Sequence, residues 1–287
     1  MDFSPIKLVV SDMDGTLLNS KGKVSDQFFL LFKKLQEKNI RFCAASGRQH
    51  NSIVSKLDII KDQIYVIAEN GGVVKQGKTT LLSHFLDAKK VQELIPVLRK
   101  ISGANMVLCC DNSAYIESKD NRFISLFQEY YHSFQQVQDV MEIAKTIPVF
   151  KIAVYHFDSS EKFIFPVVKD FKNEVLLKIS GQHWLDISDE KANKGNALKA
   201  VQQLLSVTKQ ETLVFGDYHN DIEMMQEAGM IFAMKNAHED IKKIADFITE
   251  SNDDFGVEMM LESLVNQSNY IGINDFYYFF EKYYLHL

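Results

Sequence analysis

The sequence has few cysteines, few prolines and no excess of basic residues. Its 287 residues include three cysteines, four prolines and one tryptophan, and the formal net charge is −6. The cysteines, Cys43, Cys109 and Cys110, lie within apolar runs, which indicates buried thiols in a reducing compartment rather than a disulfide framework. The acidic balance argues against a nucleic-acid partner, because such binding needs a basic face.

Long hydrophobic runs are also missing. No apolar stretch approaches the ~18 residues of a membrane-spanning helix, and the N-terminus shows no basic region followed by an apolar one. We therefore expect a cytoplasmic protein with no membrane partner. Hydrophobic residues make up 46% of the chain and charged residues 24%, which is ordinary for a globular protein. The length is sufficient for two domains.

Two carboxylates follow the first strand that the sequence predicts. Leu8 to Val10 form an apolar run typical of a strand buried on both faces. Asp12 and Asp14 come next, and because strand side chains repeat every second residue, both can point to one side. Gly15 then permits a tight turn. An Asp and a Gly after a strand can also simply turn the chain, but two acids at the carboxyl end of a strand favour a bound cation.

Alternating strands and helices predict the fold. Further strands are expected over 40–45, before Ser46-Gly47-Arg48, and over 65–68, before the turn Glu69-Asn70-Gly71-Gly72. Another covers 212–215 and precedes Gly216-Asp217. A helix begins at Lys194 with Asn193 as its cap. This pattern indicates an α/β protein with a doubly wound, Rossmann-like parallel sheet.

The central part of the chain has a different pattern, with strands and helices that form a second, compact α/β unit. We predict an inserted cap domain over 83–187 and a core domain made of 1–82 and 188–287. Residues 268–287 form an aromatic C-terminal extension, in which eight of twenty residues are aromatic. This extension either docks on its own subunit or makes an oligomer contact, so we expect a monomer or a homodimer.

The polar residues at these strand ends resemble those of a known family. The matching stretches are Ser11-Asp12-Met13-Asp14-Gly15-Thr16-Leu17, Ala45-Ser46-Gly47-Arg48, Asn193-Lys194-Gly195-Asn196-Ala197-Leu198 and Gly216-Asp217 through Asp221. Over residues 6 to about 265 the chain resembles the haloacid dehalogenase superfamily. Within it, the chain is similar to the Cof-type phosphatases, which carry a large α/β cap.

The resemblance implies a magnesium-dependent phosphatase. Asp12 is the expected nucleophile, which forms an aspartyl-phosphate. Asp14 is the expected general acid and base, and that role requires a raised pKa. Mg²⁺ is expected on Asp12, the backbone carbonyl of Asp14 and Asp217, with Asp221 supporting nearby.

The resemblance also implies which residues bind the phosphate. Ser46 and the amide of Gly47 can hydrogen-bond phosphoryl oxygens, and Asn220 can offer its amide to the phosphate or to the substrate. Lys194, together with Mg²⁺, would nearly neutralise the site, although a lysine at a helix start can also be only a solvated residue. Arg48 either contacts the substrate or has a structural role.

We therefore predict hydrolysis of small phosphorylated metabolites, with sugar phosphates as the leading class. Two alternatives stay open from the sequence. Related capped proteins move phosphate between sugar hydroxyls, so a phosphomutase is the first. A non-catalytic protein that binds metabolites is the second.

Overall fold

A computed structural model describes residues 1–111, 113–128, 130–131, 133–180 and 182–266 of the chain. The strands in these ranges are β1 (Leu8–Asp12), β2 (Arg41–Ala45), β3 (Tyr65–Ala68), β4 (Val73–Gln76), β5 (Thr79–Ser83), β6 (Ala104–Cys110), β7 (Ala114–Ile116), β8 (Phe134–Gln136), β9 (Val149–His156), β10 (Leu176–Ile179), β11 (Trp184–Ser188), β12 (Thr212–Gly216), β13 (Met230–Ala233) and β14 (Phe247–Ile248).

The α-helices of the described ranges lie between these strands, except for the last helix, which follows β14. They are α1 (Asp26–Glu37), α2 (His50–Lys56), α3 (Ala88–Leu98), α4 (Asn121–Phe127), α5 (Val140–Thr146), α6 (Ser160–Phe163), α7 (Phe165–Val168), α8 (Lys194–Leu205), α9 (Ile222–Met225), α10 (Glu239–Ile244) and α11 (Gly256–Asn266).

Within the described ranges, the larger sheet has eight strands in the order β14-β13-β12-β1-β2-β3-β4-β5. Strands β14 through β3 in that order are parallel, whereas β4 and β5 form an antiparallel hairpin at one edge. The chain moves outward from β1 to β2 and β3, and later returns to the other side of β1 with β12. This reversal creates a crevice at the carboxyl ends of β1 and β12, where open α/β sheets bind ligands. The predicted Rossmann-like fold class is confirmed.

Side-chain caps define where α1 and α8 begin, and the cap of α8 is Asn193, as the sequence predicts. The hydroxyl of Ser25 accepts a hydrogen bond from the Phe28 N–H at 3.1 Å, at the start of α1. The side-chain oxygen of Asn193 accepts one from the Asn196 N–H at 2.8 Å, at the start of α8. Because these bonds satisfy N–H groups that have no partner within the helix, they fix where each helix begins. Lys194 is thereby held in the first turn of α8.

The second sheet has six strands in the order β10-β11-β9-β6-β7-β8, and only the pairing of β7 with β8 is parallel among the described residues. Apolar clusters cover both faces, and adjacent cysteines of β6 belong to different clusters: Cys110 to one and Cys109 to the other. The two thiols therefore face opposite sides of the strand, as its alternation predicts. All three cysteines are buried and unpaired.

The chain enters the second sheet after β5 and leaves it after β11. This path agrees with an insertion into the larger sheet, and we propose that the cap domain spans the predicted range 83–187. Ser83 is also the last residue of β5, and β11 extends one residue past the range, to Ser188. Three short elements of this region, β7, β8 and α5, escape the sequence pattern, as does helix α2 between β2 and β3. The aromatic extension 268–287 lies outside the described residues. In the described part of the chain, no helix is both long enough and apolar enough to cross a membrane.

Candidate active site

A cavity of about 340 Å³ opens between the carboxyl ends of the parallel strands and the second sheet. The larger sheet and its loops contribute Asp12, Asp14, Ser46, Gly47, Arg48, Asn70, Asp217, Tyr218 and Asn220. The second sheet and its loops contribute Tyr130, Tyr131, Lys151, Ser180, Trp184 and Asp186. The structure thus brings most of the predicted site residues to one cavity. Lys194 and Asp221 lie directly behind it.

Asp12 and Asp221 share the ammonium group of Lys194. The Nζ atom of Lys194 donates to Asp12 Oδ1 at 2.5 Å and to Asp221 Oδ1 at 2.6 Å, and the lysine is fully buried. Burial alone would lower the pKa of Lys194, but the two carboxylates raise it above its usual range. Lys194 is therefore a permanent cation beneath Asp12, not a solvated residue at a helix start.

Burial dominates the electrostatics of Asp12. Removal from water raises the pKa of this carboxyl well above its usual value; the charge of Lys194 lowers it, and the carboxylates of Asp221 and Asp217 raise it further. A nucleophilic carboxylate must be ionised. The site therefore gains from a further cation beside Asp12.

Asp217 lies across from Asp12, at the end of β12. Its Oδ1 atom accepts a hydrogen bond from the Thr16 hydroxyl at 3.1 Å. Burial, followed by the nearby Asp221 charge, raises the pKa of Asp217 to about 7. Gly15 has a φ of +78°, and a Cβ atom there would lie 2.4 Å from Asp217 Oδ2. A side chain at position 15 would thus displace this carboxylate.

The carboxylates of Asp12, Asp217 and Asp221 suit a magnesium ion. One oxygen of each lies within 4.8 Å of the others, and carboxylate oxygens are the ligands that Mg²⁺ prefers. Asp221 is the most constrained of them: besides Lys194, it accepts hydrogen bonds through Oδ2 from the N–H groups of Asp217 (3.0 Å) and Tyr218 (3.2 Å). We therefore propose Asp12 and Asp217 as direct ligands, and Asp221 as the residue that orients the loop around them.

Asp14 faces a guanidinium group. Arg48 donates from Nε to Asp14 Oδ2 and from Nη2 to Asp14 Oδ1, both at 2.7 Å. The Asp14 side chain is 49% exposed, whereas that of Arg48 is only 11% exposed. Tyr130 lies under the guanidinium, with its ring centre 5.2 Å away. Arg48 thus contacts the predicted acid and lines the cavity at the same time.

The turn after β2 presents its polar groups to the cavity. The buried Ser46 hydroxyl accepts a hydrogen bond from the Arg48 N–H at 3.1 Å. Asn220 donates its amide to the side-chain oxygen of Asn70 at 3.3 Å. A Cβ atom at Gly47 would lie 3.0 Å from the Asn70 amide group, so a glycine lets these segments approach closely.

Sequence reasoning missed the residues that the second sheet contributes. The side chains of Lys151 and Asp186 line the cavity although both are almost fully buried. A lysine within the otherwise mostly apolar strand β9 was a usable signal for Lys151, because a buried lysine requires partners. Tyr130 and Trp184 carried no such signal, since aromatic residues in a cap are usually core. The sequence predicts the turn that contains Asn70, but it does not predict that Asn70 contacts the site.

Comparisons with known proteins identify the family of this chain. A sequence profile of haloacid dehalogenase-like hydrolases matches residues 9–261. Phosphatase YwpJ from Bacillus subtilis (strain 168) is 28% identical over 91% of this chain and 100% of its own length. The 5-amino-6-(5-phospho-D-ribitylamino)uracil phosphatase YbjI from Escherichia coli (strain K12) is also 28% identical, over 91% of this chain and 96% of its own.

A solved structure has the same fold. The haloacid dehalogenase-like hydrolase from B. subtilis aligns with a TM-score of 0.81 at 26% identity, over 90% of this chain and 99% of that one. The resemblance that the motifs indicated is therefore confirmed. The chain belongs to the family of haloacid dehalogenase-like hydrolases, and relatives that it matches along almost their full length are phosphatases.

Proposed function

We propose that this chain is a Mg²⁺-dependent phosphatase that hydrolyses small phosphorylated metabolites through an aspartyl-phosphate on Asp12. The observation that carries the proposal is the position of Asp12. Its carboxylate lines the cavity, lies on the Lys194 ammonium and is within reach of Asp217. A nucleophile, a fixed cation and ligands for a divalent cation thus meet in a space large enough for a small ester.

In the first half-reaction, a carboxylate oxygen of Asp12 forms a bond to phosphorus while the ester oxygen leaves. Asp14 donates a proton to the leaving alcohol, so that no alkoxide is released. Asp14 must first be protonated, and its pair with Arg48 must therefore open. The phosphoryl oxygens offer Arg48 an alternative bidentate partner.

In the second half-reaction, the same Asp14, now a carboxylate, takes a proton from a water molecule that attacks the aspartyl-phosphate. Inorganic phosphate leaves and Asp12 is regenerated. Ser46, the Gly47 amide and Asn220 hold the phosphoryl oxygens in both halves. Lys194 balances charge on Asp12 throughout. When bound by Asp12 and Asp217, Mg²⁺ supplies positive charge that reduces repulsion between carboxylate and phosphate.

The cavity also supports a substrate class. Polar groups of Ser180 and Asp186 lie in it together with the rings of Tyr130 and Trp184. Such a mixture suits a leaving group with hydroxyl groups and an apolar face, so we propose sugar phosphates or related polyol phosphates. The Escherichia coli relative, a phosphatase of a phosphoribityl compound, favours the same class. We propose that the reaction occurs in the cytoplasm, in agreement with three unpaired buried thiols.

A screen for phosphate release tests the function. Purified protein should release inorganic phosphate from an aryl phosphate and from some sugar phosphates when Mg²⁺ is present, and a chelator should stop the release. No activating bisphosphate should be needed, which separates a phosphatase from a phosphomutase. Protein that binds phosphorylated metabolites but never turns them over would contradict the proposal.

A further inference from the structure

A lysine of the second sheet reaches into the phosphate-binding turn of the first. Lys151 lies on β9 and is 3% exposed. Its Nζ atom donates to the carbonyl oxygen of Gly47 at 2.8 Å. The same atom lies 3.1 Å from Glu69 Oε2 and 3.2 Å from Asp186 Oδ2. The Gly47 carbonyl and Asp186 accept hydrogen bonds from this ammonium group, whereas Glu69 pairs with it by charge.

The carboxylates keep this lysine charged. Burial by itself lowers the pKa of Lys151, but Asp186 and Glu69 raise it above its usual range. Burial also raises the pKa of Glu69, an effect that the Lys151 charge opposes. Asp186 receives further hydrogen bonds from Asn70 at 2.9 Å and from Ser180 at 3.1 Å. The group is therefore a connected polar network between the two sheets.

Glu69 belongs to a turn that is itself bonded to the phosphate-binding residues. Glu69, Asn70 and Gly71 have φ values of 52°, 55° and 96°, which is the left-handed region. The Glu69 N–H donates to the Arg48 carbonyl and the Asn70 N–H to the Ser46 carbonyl, both at 3.0 Å. The turn thus holds the backbone on either side of Gly47.

Lys151 contacts the same backbone segment from the side of the second sheet. The Gly47 carbonyl belongs to the peptide that joins Gly47 to Arg48, and the N–H of that peptide donates to the Ser46 hydroxyl. With both ends of the peptide bonded, its plane cannot rotate freely. This peptide orients the Ser46 hydroxyl. The Gly47 N–H belongs to the preceding peptide, whose Ser46 carbonyl accepts a hydrogen bond from the Asn70 N–H.

We propose that Lys151 is a positioning residue that presents the turn Ser46–Arg48 to the phosphoryl group, so that the phosphate site is complete only when the second sheet is docked. This inference rests on the proposed phosphatase function. It assigns Lys151 no contact with the reacting atoms. Its effect is on phosphate affinity and on substrate binding.

Calorimetric binding of inorganic phosphate to the Mg²⁺-loaded protein tests the proposal. Lys151→Met should weaken phosphate binding about tenfold, the scale of one lost charge-assisted hydrogen bond. In turnover assays KM should rise more than kcat falls. Lys178→Met is the matched control, since Lys178 on β10 also pairs across to the larger domain, with Glu223 of α9 at 3.0 Å, without contacting the turn. It should bind phosphate like the unmodified protein.

A second variant separates positioning from simple charge attraction. Lys151→Met alone leaves two buried carboxylates and removes a positive charge near the phosphate. The double variant Lys151→Met with Glu69→Leu restores the local net charge and relieves the unpaired carboxylate, but it does not restore the bond to the Gly47 carbonyl. We expect phosphate binding to stay about tenfold weaker in this folded, charge-balanced variant. Recovery of the original affinity would overturn the proposal.

Failure of this inference is distinguishable from failure of the proposed function. If the Lys151 variants bind phosphate with unchanged affinity and turnover is intact, only the proposed role of Lys151 is contradicted. If phosphate binding depends on Lys151 but the protein hydrolyses no phosphate ester, only the proposed phosphatase function is contradicted.

Discussion

Lys194 and Asp12 lie 182 positions apart in the sequence, yet the lysine Nζ is 2.5 Å from the aspartate Oδ1. The contact exists because β1 lies beside β12 in the sheet and α8 begins at the same edge. Asp12 is almost fully buried, so an uncompensated negative charge there would be costly. We therefore expect the pair to contribute both to stability and to the proposed chemistry.

Removal of Lys194 should affect both properties. In Lys194→Met, the carboxylates of Asp12 and Asp221 lose their shared partner, and we expect the free energy of unfolding to fall by about 3–5 kcal/mol. Phosphate release should also be lost. Lys199→Met on the same helix is the control: Lys199 is half exposed and pairs with Glu227, so its loss should cost less than about 1 kcal/mol. Equal effects of the two substitutions in chemical denaturation would contradict this account of Lys194.

Asp14→Asn should slow hydrolysis in a way that depends on the leaving group. We expect kcat for an alkyl phosphate to fall about 10²–10⁴-fold, because an asparagine cannot protonate the leaving alcohol. For an aryl phosphate, phosphoryl transfer to Asp12 needs little protonation and should proceed. The later water attack should then be slow, and an initial burst of the phenol should appear in rapid mixing. Equal losses for both steps and both substrates would argue against Asp14 as acid and base.

Gly15→Ala should damage the site without touching its chemical groups. The φ of +78° at position 15 is unfavourable for alanine, and the added Cβ would meet Asp217 Oδ2 at 2.4 Å. We expect a loss of about 1 kcal/mol or more in stability and weaker Mg²⁺ binding in calorimetry. Gly22→Ala is a useful comparison: its φ is +66°, but its nearest atom is 3.8 Å away on Lys56. A normal Mg²⁺ affinity in Gly15→Ala would contradict the proposed role of Asp217.

The stability of the protein in chelator should depend on pH through Asp217. Its pKa of about 7 in the folded state exceeds the ordinary value of 3.8, so between these values the folded protein holds more protons than the unfolded chain. Stability from this group therefore rises as pH falls from about 7 toward 4. The Tm difference between the unmodified protein and Asp217→Asn should change with pH in that range. Saturating Mg²⁺ should alter this pH dependence, because protons and the cation compete for Asp217; an unaltered profile would contradict the metal site.

The sequence predicts the core of the site because its residues are tied to local signals. Asp12, Ser46 and Asp217 each follow an apolar run typical of a buried strand, and parallel strands bring their carboxyl ends together. Lys194 follows a recognisable helix cap. Such patterns depend only on residues that are neighbours in the sequence, so they can be recognised without the tertiary structure.

The cavity residues contributed by the second sheet have no comparable pattern in the local sequence. Strands β7 and β8 are three residues long each, and β7 pairs with the preceding strand β6 and with β8. Three residues are too few for the alternation of polar and apolar residues to reveal a strand. Whether Trp184 faces a core or a cavity depends on the docking of one sheet against the other. The pairing of Arg48 with Asp14 is likewise set by tertiary contacts, which is why the sequence left the role of Arg48 open.

Covalent labelling of Asp12 tests the central claim most directly. The protein is mixed with Mg²⁺ and an aryl phosphate, quenched in acid and analysed by peptide mass spectrometry. We expect one phosphoryl group on the peptide that contains Asp12, and neither label nor turnover in Asp12→Asn. Full phosphate release by Asp12→Asn, or a phosphoryl group on a different residue, would contradict the account.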